Sequence, residues 1–293
     1  MPELSHLVLP EEDGWRVTRV IRDTLQVSSS QFKSARWNGQ LLVDGQPAHA
    51  KDVVHAGQTV TLVPSEAAPC YHPEPWDIPL TIPYVDDDLL VVDKPAPLAS
   101  QSSQRQGDNT LENALCAWEG NPAEYVYRPV NRLDKGTSGL MLVARNPHAQ
   151  QLLQRQLHTA DMVREYLAVT EGAPPQDSGI IDLPIGKAEG ATVQRCIAFD
   201  GKPAVTRYWV LERSNGRALV RLRLETGRTH QIRVHLSAIG CPVAGDFLYG
   251  TELPDQLPRR FALHSHTLTL LHPITRAHLS FESPLPEELK RLL

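Results

Sequence analysis

The chain has 293 residues, 41% of them hydrophobic and 22% charged, with a formal net charge of −5, values ordinary for a soluble globular protein of one large domain or two. No apolar run is long enough to span a bilayer, and MPELSHLVLPEEDG has none of the basic start, apolar stretch and cleavage site of a signal peptide. The four cysteines (Cys70, Cys116, Cys196, Cys241) are scattered, without the paired spacing of a zinc site or disulfide framework, so a reducing cytoplasm is the expected setting.

Residues 15–63 read as a small module. Val17, Val20, Ile21 and Leu25 follow helical spacing, and Ser28-Ser-Ser-Gln31 reads as a capping box opening a short helix through Phe32 and Ala35 that stops at Gly39. Leu41 to Val43, the turn Asp44-Gly45 and Thr59 to Val63 suggest strands of a small sheet. Pro-rich PSEAAPCYHPEPWDIP (64–79) is a linker or an extended lead-in to a larger domain that begins near residue 80.

In that domain Leu89 to Val92 is a strand candidate ending at Lys94-Pro95. Gln101 to Asn109 is a polar loop, and Thr110 caps a helix through Leu111, Ala114 and Leu115. Leu140 to Ala144 reads as a strand, and Asn146-Pro147 opens a helix with the apolar face Ala149, Leu152, Leu153 and Leu157. Met162 to Val169 is strand-like, with Gly172 past its end. Arg217 to Glu225 alternates, with Val220, Leu222 and Leu224 on one face and Arg221, Arg223 and Glu225 on the other. The elements interleave too irregularly for repeated βαβ units, which points to an α+β fold: a mixed sheet with flanking helices. No internal repeat is present.

Two stretches carry chemistry. In NRLDKGTSG (131–139), Asp134 lies one residue removed from Arg132 at the mouth of a buried strand. A carboxylate there is a turn-former, half of a structural ion pair or a catalytic group, and the local residues leave all three open. In TGRTHQIRVHLSAIG (226–240), Thr226-Gly227 ends the alternating strand and Thr229 caps a helix that stops at Gly240, with Ile232, Leu236 and Ile239 toward the core. Arg228 lies at the turn and Arg233 in the helix. From 213 to 233, Arg213, Arg217, Arg221, Arg223, Arg228 and Arg233 face a single acidic residue, Glu225. Guanidinium forks suit phosphate, so the segment is either a solvated strand face or a groove for a polyanion. His230 and His235 read as packing or capping residues. His264 and His266 share one strand face with no acidic or cysteine partner nearby, which argues against zinc.

At these residues the chain resembles a known family. NRLDKGTSGLMLVAR looks like the Arg-Leu-Asp motif of pseudouridine synthases of the RluA type, the ribosomal large-subunit class. LETGRTHQIRVHLSAIGCPVAGDFLYG is similar to that family's long C-terminal signature and REYLAVTEG (164–172) to its tyrosine motif. LLVVDKPAPL resembles its opening strand and ALHSHTLTLLHP (262–273) its closing one, all in the family's order from about residue 80 to the end. The resemblance implies the pseudouridine synthase fold, with a mixed, mainly antiparallel sheet, and an enzyme that isomerises uridines in structured ribosomal or transfer RNA without cofactor or metal.

Asp134 matches the essential aspartate, which attacks the target uridine so that the glycosidic bond breaks and the uracil re-bonds through carbon five. Arg233 matches the arginine that pairs with it, and such a cation keeps a carboxylate ionised and aimed. Tyr166 matches the active-site tyrosine, expected to pack on the uracil and to help remove the proton from carbon five. Arg132 matches the residue that fills the gap left by the flipped base, whose extrusion costs a few kcal/mol. Stacking worth about 1–3 kcal/mol per base offsets part of that cost. The expected substrate-binding set is Arg132, Asn131, Arg164, Arg228, Thr229 and His230.

Two departures stand out. Asn131 occupies the place of the family's usual His, and KPAPLASQSS lacks the glycine and histidine common after the Lys-Pro. Residues 1–66 are similar to the small RNA-binding domain first known from ribosomal small-subunit protein four, in a degenerate version with Ser28-Ser-Ser30 where relatives carry Arg, leaving Lys33 and Arg36. The expected organisation is that module, a linker over 67–79 and a catalytic domain over 80–293, acting as a monomer. An RNA-binding or ribosome-assembly factor that keeps the fold without turnover is the alternative. A glycoside hydrolase would need a second positioned carboxylate that the matching segments do not supply.

Overall fold

The computed structural model describes residues 3–28, 32–33, 40–63, 73–102, 109–120, 125–157 and 159–293. Residues 29–31 of the expected capping box, the helix stop at Gly39 and most of the polar loop before Thr110 fall outside them.

Near the N-terminus, β1 (Leu4–Leu7), β2 (Gln40–Val43), β3 (Gln46–Pro47) and β4 (Thr59–Val63) form an antiparallel sheet in the order β1-β4-β2-β3. Asp44 and Gly45 between β2 and β3 both have positive φ, 50° and 75°, as a two-residue type I′ hairpin requires. The short helix α1 (Val17–Arg19) runs into a π-helical turn (Val20–Thr24), and Val17, Val20 and Ile21 pack with Val8, Val54, Val60 and Leu62 in a core of their own. Strand β1, ahead of the helix, has no counterpart in the sequence reading.

The larger sheet is built from β5 (Thr81–Val85), β6 (Leu89–Lys94), β7 (Ser138–Ala144), β8 (Val163–Glu171), β9 (Ser178–Asp182), β12 (Val205–Ser214), β13 (Arg217–Leu224), β14 (Leu263–Leu271) and β15 (His278–Glu282). Its order is β5-β6-β7-β14-β8-β13-β12-β9, with β15 also pairing β14. A separate hairpin, β10 (Ile185–Lys187) with β11 (Arg195–Ile197), stands apart from the sheet. Every pairing is antiparallel except β7 with β14, which meet over two residues, His264 opposite Ser138 and Ser265 opposite Gly139. Ser265 also faces Tyr166 on β8, so Gly139, Ser265 and Tyr166 form one row across the centre of the sheet. Gly139 is required there: its φ is +105°, and a Cβ would lie 2.2 Å from the Ser265 carbonyl oxygen.

β6 and β7 are buried on both faces, Leu90, Val92, Met141 and Val143 in one core and Leu89, Val91, Leu140 and Leu142 in another, which explains their unbroken apolar runs. Helix α2 (Leu111–Glu119) starts at Thr110, whose N–H donates to Asn113 Oδ1 (3.0 Å). Helix α3 (Pro147–Gln156) starts at Asn146, whose Oδ1 accepts the Ala149 N–H (2.8 Å), both as the cap residues suggest. The Pro-rich stretch is no free spacer from Pro73 onward. Trp76 N–H donates to the Asn113 carbonyl (3.1 Å), and Trp76, Ile78 and Leu80 pack on the large core, so these residues strap the domain.

Candidate active site

Asp134 is presented by the loop that enters β7. Ser100 holds that loop from behind, donating to the Leu133 carbonyl (2.6 Å) and accepting the Leu133 N–H (3.1 Å). Ser100 belongs to KPAPLASQSS, the segment that departs from the family pattern, and its hydroxyl fixes the residue next to Asp134. The second element is helix α4 (Gln231–Ala238) after β13. Thr229 does not cap it: Thr229 is exposed and His230 is the N-cap, with φ of 58°. The Gln231 side chain ties down the turn instead, accepting the Arg228 N–H (2.9 Å) and donating to the Val205 carbonyl (3.0 Å).

The two elements meet through Arg233. Its Nη1 donates to Asp134 Oδ2 at 2.9 Å, while Nε and Nη2 donate to Asp246 Oδ2 at 2.6 Å and Oδ1 at 2.8 Å. Arg233 is 2% exposed and Asp246 fully buried, whereas the Asp134 side chain is 28% exposed. One guanidinium thus holds an inner carboxylate by its fork and an outer, accessible one by its free tip. Burial opposes the Arg233 charge, but the Asp246 and Asp134 carboxylates outweigh it and raise the pKa. The guanidinium carbon lies 4.1 Å from the ring centre of Phe261, 5.0 Å from Tyr249 and 5.8 Å from Phe247, an aromatic wall beside the pair. Gly136 belongs to this packing, since a Cβ there would sit 2.7 Å from the Phe261 ring. Asp246 escaped the sequence reading; the available signal was a lone carboxylate inside the apolar CPVAGDFLYG.

His230 Nε2 lies 3.9 Å from Asp134 Oδ2, and Nδ1 lies 2.8 Å from the Tyr249 hydroxyl. That hydroxyl accepts the Arg195 N–H (2.8 Å), which leaves its own proton for Nδ1 and the ring proton on Nε2, facing Asp134. Burial lowers the His230 pKa, with the Asp134 charge opposing, so the ring is neutral. His235 packs, as expected, between Thr206 Oγ1 and the Leu183 carbonyl, each at 2.9 Å.

Tyr166 is 4% exposed and lies in the core with Leu222 and Ile232. Burial raises its pKa, with Arg164 and Ser265 opposing, so the phenol keeps its proton at neutral pH. Arg164, two residues earlier on the same face, is buried with an unpaired Nε and lies against Gly227. Arg132 is exposed beside Asp134. Two members of the expected substrate-binding set make structural bonds. Asn131 is buried and accepts the Leu142 N–H (2.9 Å), so it secures β7; Arg228 Nε donates to the Pro203 carbonyl (2.9 Å).

The arginine segment forms no single groove over Asp134. Leu222 pairs with Tyr166, whereas Arg221 pairs with Leu167 and Arg223 with Glu165, which places both arginines on the sheet face opposite Tyr166. Arg221 stacks on Trp209 (4.8 Å), Arg213 pairs with Asp177 (2.6 Å), and Arg217 donates to the Leu292 carbonyl (2.9 Å).

Lys94 carries a different consequence. It is completely buried and donates to the Pro95 (3.0 Å) and Leu98 (2.7 Å) carbonyls, holding a loop whose Leu98 N–H reaches the Lys135 carbonyl (2.9 Å) beside Asp134. Burial pushes its pKa from 10.5 down to about 7, against the opposing pull of Asp134. Below about pH 7 both native and unfolded chains carry the proton and the burial penalty is complete. Between about pH 7 and 10.5 only the unfolded chain keeps it, so the Lys94 contribution to stability rises with pH. Chemical denaturation at pH 6, 7.5 and 9 is expected to show wild type gaining on Lys94→Met across this window; a constant difference would refute the depressed pKa.

Among the described residues, His264 and His266 both bond the Ser283 carbonyl, at 3.0 and 2.7 Å. Asp86, Asp88 and His272 cluster, but His272 Nδ1 accepts the Ile274 and Thr275 N–H groups, so Nε2 carries the proton it donates to Asp86 (2.8 Å). A protonated nitrogen is no metal ligand, and the trio knits two turns together.

Comparison with known proteins converges on one family. Residues 88–238 match the family model described as RNA pseudouridylate synthase. The chain is 38% identical to the ribosomal large subunit pseudouridine synthase D of Xanthomonas campestris pv. campestris, covering 99% of this chain and 92% of that one. It is likewise 38% identical to the protein of the same name from Pseudomonas aeruginosa, with 97% and 93% covered. Among solved structures, human RNA pseudouridylate synthase domain containing 1 aligns with a TM-score of 0.58 at 31% identity, over 70% of this chain and 83% of that one.

Proposed function

Since the chain belongs to the RNA pseudouridylate synthase family and is an RNA pseudouridine synthase, we propose that Asp134 is its nucleophile and large-subunit ribosomal RNA its substrate. The observation that carries the first half is the 2.9 Å bond from Arg233 to an Asp134 that is still accessible. The arginine favours the ionised carboxylate and aims it, and the aromatic wall lowers the local dielectric without closing the outer face. The uridine is flipped over Asp134, with Arg132 entering the vacated stack. Asp134 bonds to the sugar carbon C1′ as the bond from N1 breaks and its electron pair leaves with the uracil. The freed uracil turns, and carbon five bonds to C1′ as the bond to Asp134 breaks and frees the carboxylate. Carbon five then gives up its proton to solvent while N1 takes one up. Tyr166, kept neutral by burial, serves as a wall and hydrogen-bond donor rather than as a resting base.

The substrate half is supported by relatives that match over nearly their whole length and are named for the ribosomal large subunit. An RNA substrate supports action in the cytoplasm. The N-terminal module supports RNA binding through a cleft of 1010 Å³ lined by Arg16, Arg19, Arg22 and Lys51, basic residues other than those the sequence reading singled out. A glycoside hydrolase is disfavoured, because Asp246 is buried with both oxygens held by Arg233 and offers no free second carboxylate. Pseudouridine mapping of total RNA with and without the gene tests the proposal. Loss confined to one or a few uridines of large-subunit ribosomal RNA is expected; loss only in transfer RNA would overturn the substrate.

A further inference from the structure

The hairpin of β10 and β11 carries two cations that no side chain among the described residues neutralises. Lys187 and Arg195 are cross-strand partners. The flanking bonds, Ala188 N–H to the Gln194 carbonyl (3.1 Å) and Ala198 N–H to the Pro184 carbonyl (3.0 Å), make theirs a non-hydrogen-bonded position, where side chains approach most closely. Like charges directly opposite one another destabilise a hairpin. Among the described residues neither side chain has an ion-pair or hydrogen-bond partner, although Lys187 is exposed and Arg195 half-buried. A two-stranded ribbon is marginal to begin with, so an uncompensated pair of this kind is poorly explained by folding alone.

The pair is also placed at the site. On the same face one step inward, Ile185 and Ile197 pack with Val234 of α4 and with Tyr249. Arg195 N–H bonds the Tyr249 hydroxyl, which bonds His230, whose other nitrogen faces Asp134. The Arg195 charge reaches His230 and adds to the depression of its pKa that burial begins. The two cations therefore sit on a hairpin tied through Tyr249 and His230 to Asp134, the accessible carboxylate.

We propose that Lys187 and Arg195 together form a clamp for a backbone phosphate of the RNA strand flanking the flipped uridine. An anion between them removes their repulsion, and the Arg195 fork with the Lys187 ammonium supplies charge-assisted bonds to its oxygens. This rests on the reading of Asp134 as the centre that the RNA must reach. It adds a specific grip that the arginines of β13, on the opposite face of the sheet, do not provide.

The test compares Lys187→Gln, Arg195→Gln, Lys187→Glu and the remote control Lys290→Gln on an RNA that wild-type protein modifies, over a salt series. Arg195→Gln is expected to weaken RNA affinity about tenfold, and each glutamine variant to lower the slope of log K against log salt by about one. Lys187→Glu should bind worst of all yet melt no lower than wild type, because it turns the repulsive pair into an attractive one. An affinity and slope equal to those of Lys290→Gln in all three, with pseudouridine still formed, would overturn the clamp. A lower melting temperature for Lys187→Glu would overturn the claim that the pair is strained without its anion. If wild type and Asp134→Asn gave the same pseudouridine content in that RNA, the reading of Asp134 would fail instead, separately from the clamp.

Discussion

Asp134→Asn is expected to abolish pseudouridine formation, by about 10⁴-fold or more, while folding and RNA binding persist. The amide has the shape of the carboxylate without its charge or nucleophilicity. Stability should change by only about 1 kcal/mol, because Arg233 keeps both of its bonds to Asp246 and is never left as an unpaired buried charge. The check is quantitative pseudouridine analysis beside a binding assay on the same RNA. Product at more than a hundredth of the wild-type rate would remove Asp134 as nucleophile; lost binding with an intact fold would recast it as a binding residue.

The mirror-image change gives the opposite balance. Asp246→Asn is expected to cost about 3–5 kcal/mol of stability, the range for breaking a buried ion pair from one side. Asp246 is fully buried and both of its oxygens accept from Arg233, so an amide there turns one nitrogen toward an N–H donor. Activity should fall with it, because Arg233 then keeps only one of the two bonds that fix the guanidinium aiming Asp134. The two variants thus separate aiming from chemistry: one leaves a stable protein without turnover, the other an unstable protein with reduced turnover. Denaturant midpoints and single-turnover rates measured together decide it, and equal stability losses in the two would refute the division of labour. Arg233→Lys should resemble the Asp246 variant, since one ammonium lacks the fork that serves two carboxylates.

Much of this could be read from residue order because it is local. Asn146-Pro147 before an apolar face, Asp44-Gly45 between strands and the unbroken run Leu140 to Ala144 each state their conformation within a few residues, and the structure agrees. The pairing of Asp134 with Arg233, 99 residues apart, was accessible only through whole motifs. What stayed hidden depends on register and packing. The alternation of arginines along β13 was plain, but which face also bears Tyr166 is set by pairing with β8. Asp246 becomes meaningful only when folding brings its carboxylate under Arg233, and the hairpin bearing Lys187 and Arg195 has too few residues to show a period.

The two-residue parallel seam between β7 and β14 has a bearing on assembly. Asp134 is delivered by the half of the sheet that ends at β7, and Arg233 by the half that runs from β8 through β13. Each half can form its own hairpins from neighbouring segments, but neither alone brings Asp134 and Arg233 together. Closing the seam requires contacts of long sequence separation, the kind that forms late. Two fragments divided between the halves are therefore expected to recover turnover only on reassociation.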